Sequence, residues 1–304
     1  MPIYQIVVHA LCLLALPPLF FGIIVKVKAA FAGRVGAPLF QLYFDLIKLM
    51  RKGVALSTTT TWLFRAGPVV ALVTTVMAGF MVPLGYQRAP LAFVGDMVLF
   101  AYLFGLGRFF TLLAALDTGS SFEGMGAARE ATFACLAEPA LFLGLVVLAK
   151  CTASLSLSTM LTSAPSETWR GLSAPLLLAV VSLFVVVLAE NSRIPVDDPN
   201  THLELTMIHE VMVLDHSGPP FAAILYGASV KLFVLGVIVV RTALPFRTGS
   251  IWGNWGLFML AMIAYAVVIG VVESTMARLR LRRVTNLLIA ACLLSGFGII
   301  LLAR

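Results

Sequence analysis

Apolar positions along this chain come in unbroken runs, not in alternating or one-sided stripes. Eight such runs centre near Leu13, Val76, Leu103, Leu145, Val181, Leu235, Ile263 and Leu293. Each approaches the length of about twenty residues that a helix needs to cross a hydrocarbon core. Polar segments rich in glycine and proline separate them, at 26–65, 85–90, 117–132, 162–173, 191–220, 242–250 and 273–285. The runs lack the period-two alternation of a membrane β-barrel. The pattern therefore predicts an all-α, polytopic membrane helical bundle of about eight transmembrane helices, one integral membrane domain over 1–304. The first run has neither the basic n-region nor the cleavage site of a signal peptide and reads as a retained span. Spans read as mostly uninterrupted, with the glycine and proline breaks falling in the links, and no repeat argues for an inverted-repeat transporter. One further element is predicted in the first link. Leu39, Leu42, Tyr43, Leu46 and Leu49 recur at helical spacing beside Lys48, Arg51 and Lys52, giving an amphipathic helix within 31–52 at the membrane surface or against a partner.

Composition narrows this picture. The chain is 61% hydrophobic and 12% charged, about half the charge of a soluble domain. Its net charge of +7 does not mark a nucleic-acid binder, because the basic residues sit in the links, where they orient a membrane protein and meet anionic headgroups. Thirteen Lys and Arg lie in the odd-numbered links and four in or beside the even-numbered ones. That bias places the large odd links on the cytoplasmic side and both termini outside. Cys12, Cys135, Cys151 and Cys292 lie in apolar runs with no paired spacing, so neither an iron–sulfur ligand set nor a disulfide framework is expected.

Ionisable groups at membrane depth are expensive and turn toward each other or a cavity. Asp96, Arg108, Glu138, Lys150, Glu190, Lys231 and Glu273 are in that position. Such a set either registers helices as static ion pairs or, where carboxylates are bridged by water, passes protons. The fifth link is the densest patch, with Glu190, Arg193, Asp197, Asp198, His202, Glu204, His209, Glu210, Asp215 and His216. His209-Glu210-Val211-Met212-Val213 begins like a zinc-protease helix but lacks the second histidine, so no metal site is assigned. A phosphate-cradling glycine loop, a serine elbow and a dinucleotide fingerprint are all missing, so no catalytic residue is assigned.

Three ordered motifs in three links carry a family resemblance. Gly33-Arg34-Val35-Gly36-Ala37-Pro38 with Gln41, Asp45 and Lys48, then Gly126-Ala127-Ala128-Arg129-Glu130 with Glu138, then Ala189-Glu190 with Arg193, Pro195, Asp197 and Glu204-Leu205 resemble the subunit 1 family of respiratory complex I. Leu116-Asp117-Thr118-Gly119-Ser120-Ser121-Phe122 and Glu273-Ser274-Thr275-Met276-Ala277-Arg278-Leu279-Arg280 are similar to the membrane anchors of energy-converting group 4 [NiFe] hydrogenases of the formate hydrogenlyase type. Asn191-Ser192-Arg193 is closer to the quinone-reducing pattern.

The resemblance implies a membrane-anchoring and coupling subunit in a prokaryotic inner membrane, with no cofactor of its own. Its partners would be [NiFe]-hydrogenase-like large and small subunits, an iron–sulfur ferredoxin-like subunit and antiporter-like membrane subunits. Iron–sulfur clusters and the nickel–iron site would sit on those partners. Glu130, Glu138, Glu190, Asp197, Glu204 and Asp215 would form a proton path, while Arg34, Asp45, Lys48, Arg129 and Arg193 would dock the soluble arm or hold loops. A quinone-binding subunit of an NADH dehydrogenase-like complex and a stand-alone secondary transporter remain the alternatives.

Overall fold

Eight helices among the described residues are long and apolar enough to cross a membrane, one for each apolar run. The structure, a computed structural model, describes residues 3–85, 87–162, 169, 171–197, 207–244 and 248–303. In chain order the helices are α1 (Ile3–Ala15), α2 (Pro17–Phe31), α3 (Gln41–Met50), α4 (Trp62–Met81), α5 (Asp96–Asp117), α6 (Ser121–Thr152), short α7 (Leu157–Thr162), α8 (Ser173–Glu190), α9 (Gly218–Ala243), α10 (Ile251–Thr275) and α11 (Leu281–Leu301). A 3-10 turn, Glu210–Val213, precedes α9. No strand occurs among the described residues.

The central helix is α9, packed on α2, α4, α8 and α10. It is buried without a break over 232–242, as a helix apolar all round must be. The α4–α5 hairpin closes one side, and α6, α8 and α11 pack together on another. In lipid no hydrophobic effect drives helices together, so close approach and hydrogen bonds do that work. A Cβ on Gly67 would stand 2.7 Å from the Ala114 Cβ, and one on Gly107 2.6 Å from the Thr74 hydroxyl. Small residues thus let α4 and α5 touch. Between α8 and α11, Ser295 donates to Ser182 at 2.8 Å, and Ser182 donates to the Ala291 carbonyl at 2.7 Å.

Three expectations change. The first span is not uninterrupted. Pro17 and Pro18 lack the N–H groups that would bond the Leu13 and Leu14 carbonyls, so α1 and α2 part there. Tyr226 donates to the Leu14 carbonyl at 2.7 Å, and Tyr43 donates to that of Ala15. Two phenols from α9 and α3 therefore hold carbonyls exposed by the break. Pro68 and Pro139 also lie inside helices. Second, 117–132 is mostly helix. α6 runs for 32 residues, about 48 Å at 1.5 Å per residue, against a hydrocarbon core of about 30 Å. Its first turns carry Glu123 and Arg129 beyond the span as a helical extension. Third, the amphipathic helix is confined to Gln41–Met50, because Gly33 and Gly36 take positive φ of 64° and 68° after α2 ends. Leu42 is its buried anchor, and Phe40, Phe44 and Ile47 are exposed.

Links one, three, five and seven meet at one end of the bundle. Asp117 accepts from the Thr61 N–H at 2.6 Å and hydroxyl at 2.8 Å, the Ala55 N–H donates to Ser217 at 3.0 Å, and the Leu279 N–H donates to the Pro195 carbonyl at 2.9 Å. Trp62 at this end and Trp252 at the other are 68% and 85% exposed, as interfacial aromatics are.

Candidate functional site

Four helices bring charge to one point near that end. α5 supplies Arg108, α6 supplies Glu130 and Glu138 two turns apart on one face, α8 ends on Glu190, and α9 supplies Lys231. The Arg108 guanidinium lies 3.3 Å from Glu130 and 2.6 Å from Glu138, and its remaining arm meets Glu190. Lys231 reaches Glu190 at 2.7 Å. Two cations thus face three carboxylates. Breaking such a set strands a charge where water cannot solvate it, at a cost of about 3–5 kcal/mol. The members differ in access. Arg108 and Glu190 side chains are 7% and 2% exposed, but Glu138 is 48% exposed on the flank of the bundle. A cavity of about 100 Å³ adjoins the cluster, with Thr74, Thr75, Asn191 and His209 in its wall.

A second network begins one water away. Arg108, Glu130 and Glu190 share a void of about 10 Å³ with Ser192, Asp197 and Ile208, about the space one water requires. Asp197 accepts from the Ile208 and His209 N–H groups at 3.1 and 3.2 Å and pairs with Arg278 at 2.8 Å. Nearby, Arg193 and Lys28 share one carboxylate, Glu273, at 3.2 and 2.8 Å. Arg193 also lies 4.4 Å over the Phe21 ring. These groups edge a larger chamber of about 580 Å³ between α2, α9 and the fifth link.

The remaining sequence candidates scatter. Arg129 donates to the Met207 carbonyl at 2.9 Å and holds the fifth link. The Asp215 side chain is exposed, and its N–H donates to Glu123 at 3.1 Å, so it joins neither network. Asp45 accepts from Gln41 within α3 at 2.9 Å. Arg34 and Lys48 are exposed. Asp96 sits at the opposite end, accepting from Ser156 at 3.0 Å and the Leu157 N–H at 2.6 Å, a brace for the start of α7. Glu204, with Asp198 and His202, lies outside the described residues. Among the described residues no group of three or more His, Cys, Asp or Glu converges as a metal site would require.

Glu123 is the residue the sequence reading misses. It is fully buried, and Ser120-Ser121-Phe122-Glu123 has capping-box spacing. Its carboxylate turns instead to the Asp215 N–H, tying α6 to the end of the fifth link. His209 and His216 line the wall of the chamber. Burial depresses His209 despite Glu130 and Asp197 nearby. Burial also takes His216, stacked 3.9 Å from the Phe64 ring, to about 4 against the opposing pull of Asp215.

Comparison with known proteins fits this geometry. The sequence model of the NADH dehydrogenase family matches residues 3–303. Formate hydrogenlyase subunit 4 of Escherichia coli K12 is 32% identical over 280 residues, 90% of each chain. Hydrogenase-4 component C of the same organism is 31% identical, over 89% of this chain and 86% of its own. NADH-ubiquinone oxidoreductase chain 1 of Triticum aestivum is 28% identical, over 74% and 71%. Among solved structures, a chain of the membrane-bound sulfane sulfur reductase, an archaeal respiratory membrane complex, superposes with a TM-score of 0.81. It covers 98% of this chain and 99% of its own at 19% identity, so the fold is shared well beyond the sequence.

Proposed function

This chain belongs to the NADH dehydrogenase family of complex I subunit 1 proteins, and from that premise we propose that it anchors and couples a multisubunit respiratory-type complex. In this reading it docks a soluble [NiFe]-hydrogenase-like arm, with its iron–sulfur ferredoxin-like subunit, on the end where links one, three, five and seven meet. That end is cytoplasmic, and the membrane is the prokaryotic inner membrane. The arm's electron transfer is then linked to proton or sodium movement through neighbouring antiporter-like subunits. The relatives that share 90% and 86% of their length with it carry formate hydrogenlyase and hydrogenase names, which supports the hydrogenase-type arm.

The observation that carries the coupling role is the graded exposure around Arg108. Asp197 on the loop side, the one-water void, buried Glu190 and half-exposed Glu138 form an acidic series from the docking end to the flank of the bundle. A carboxylate series with water-sized gaps can hand a proton along, because each member can take and release one. Arg34, exposed and without an ion pair among the described residues, is a docking contact.

The test uses the whole complex reconstituted in vesicles. Glu138→Gln or Asp197→Asn should lower ion uptake per electron transferred while all subunits still co-purify. Unchanged uptake sinks the path. Arg34→Ala should lower recovery of the soluble arm, and full stoichiometry would remove that contact. A quinone-binding role is the second reading, favoured by the chamber of about 580 Å³ between α2, α9 and the fifth link.

A further inference from the structure

The seventh link and the start of α11 carry charge that neither ion network uses. Arg278, Arg280, Arg282 and Arg283 fall within six consecutive residues. Arg278 turns inward to Asp197 at 2.8 Å. Arg280, Arg282 and Arg283 are exposed, and none of them pairs with a carboxylate among the described residues. A helix N-terminus favours acids, so cations gathered there add repulsion. No acid stands in the first turn of α11 to relieve it.

The rest of α11 shows which way this charge faces. Its inner face, with Val284, Leu288 and Ala291 buried, packs on α6 and α8. The opposite face is Arg282, Asn286, Ile289, Leu293, Phe297 and Ile300, steps of three and four that make one strip down the helix. Leu293, Phe297 and Ile300 are each more than half exposed. The helix has 21 residues, about 31 Å at 1.5 Å per residue, which matches the thickness of a hydrocarbon core. Arg282 and Arg283 therefore stand at headgroup level, above an apolar surface of acyl-chain length. An anion with an apolar tail fits both halves of this strip. An acidic protein segment docked on the loop end fits only the charged half.

From this juxtaposition we propose that the start of α11 binds an anionic phospholipid, its phosphate at Arg282 with Arg280 and Arg283 beside it, and an acyl chain along Ile289, Leu293 and Phe297. Arginine suits the role because its planar fork can bond two phosphate oxygens at once. Each basic residue near a membrane surface strengthens such binding about fivefold. A zwitterionic lipid carries a cation of its own, which the arginines repel, so it gains far less. The proposal does not depend on the coupling role, which fails separately if no redox subunits accompany the chain.

The experiment reconstitutes the purified complex in phosphatidylcholine vesicles with a tracer of phosphatidylglycerol or phosphatidylcholine that bears a photoactivatable group in one acyl chain. Peptide mass spectrometry then maps the adducts. The expected result is labelling at Ile289, Leu293 and Phe297 that is several-fold stronger with phosphatidylglycerol than with phosphatidylcholine. Arg282→Gln should lower phosphatidylglycerol labelling about fivefold, the effect of one lost basic contact, and leave phosphatidylcholine labelling unchanged. Arg282→Lys, which keeps the charge, should retain most of the difference. Equal labelling by the two lipids in the wild type would overturn the proposal, as would a difference that survives Arg282→Gln together with Arg283→Gln. Absence of adducts on α11 would show that a partner subunit covers the strip and would overturn it too. Loss of the soluble arm in Arg282→Gln with phosphatidylglycerol labelling intact would assign the arginines to docking and likewise overturn it.

Discussion

Removing the Arg108 guanidinium tests whether the ion cluster holds the helices or merely decorates them. Among the described residues, Arg108 is the one group that pairs with carboxylates from two different helices, Glu130 and Glu138 on α6 and Glu190 on α8. In Arg108→Gln, Lys231 alone faces three acids, and Glu190, whose side chain is 2% exposed, keeps one cation in place of two. Stranding a buried charge of this kind costs about 3–5 kcal/mol. Glu190→Gln leaves Arg108 with Glu130 and Glu138 but takes from Lys231 its one carboxylate among the described residues, so its cost should be about 1.5–3 kcal/mol, that of a charged hydrogen bond. In the double variant the stranded carboxylate no longer exists. Its loss should fall short of the sum of the singles by about 2 kcal/mol, within the usual range for residues in contact. The assay is unfolding of the detergent-solubilised chain in a denaturing detergent series, followed by the fluorescence of its four tryptophans. Additivity within about 0.5 kcal/mol, the behaviour of independent sites, would refute the claim that the pair is energetically coupled. A Glu190→Gln cost above that of Arg108→Gln would refute the charge count.

Other outcomes follow from single contacts. His216→Phe should flatten the pH dependence of stability. The folded imidazole has its value lowered to about 4, so the unfolded chain binds more protons below about pH 6.5. Wild-type stability should then fall as pH drops from about 6.5 toward 4, by up to about 3 kcal/mol, and melting curves at pH 7 and 4.5 compare the two. Gly22→Ala would put a Cβ 2.0 Å from the Leu39 carbonyl oxygen, so the approach to α3 must shift, at about 1–3 kcal/mol, read as faster proteolysis of the first link. Gly126→Ala would press on the Ile208 carbonyl at 2.9 Å and on Met212, loosening the 3-10 turn, which hydrogen exchange of 207–213 should register. Tyr226→Phe should leave the Leu14 carbonyl unpaired at the break of the first span and cost about 1 kcal/mol, measured by thermal melting in detergent.

The spans were legible because lipid imposes a length and a polarity that leave few alternatives. The charged residues within them were legible for the same reason, since desolvation makes each one conspicuous. Partners were not. Nothing in sequence spacing says that Arg108 will face Glu190 and Glu138 at once, because that depends on the rotation of α5, α6 and α8 about their axes. The break at Pro17 escaped notice because hydropathy does not register a missing N–H, and both flanks are equally apolar. Glu123 escaped because an acid near the start of a helix is ordinary, and no spacing shows that it is buried against the Asp215 N–H. Asp215, a path member by family resemblance, is drawn off by a backbone contact to that same Glu123.

That the fifth link touches every other link at its end of the bundle has a mechanical consequence. Ser217 meets Ala55 of the first link, Met207 and Asp215 are held from α6, and Asp197 and Pro195 meet Arg278 and Leu279 of the seventh. Arg193, Asp197 and the N–H groups of Ile208 and His209 that Asp197 accepts all belong to this link. Its first residues continue directly from Glu190 at the end of α8. A shift of the link therefore cannot leave both networks unchanged. The α6 extension that grips it through Glu123 and Arg129 is continuous with the span that carries Glu130 and Glu138. Up to Glu138, where Pro139 removes one backbone hydrogen bond, a helix transmits displacement along its axis better than a loop of the predicted kind would. The same side chains that fix the link against α6 therefore also place the half-exposed Glu138 in register with events at the docking end, which is what a subunit between a soluble arm and a membrane partner requires.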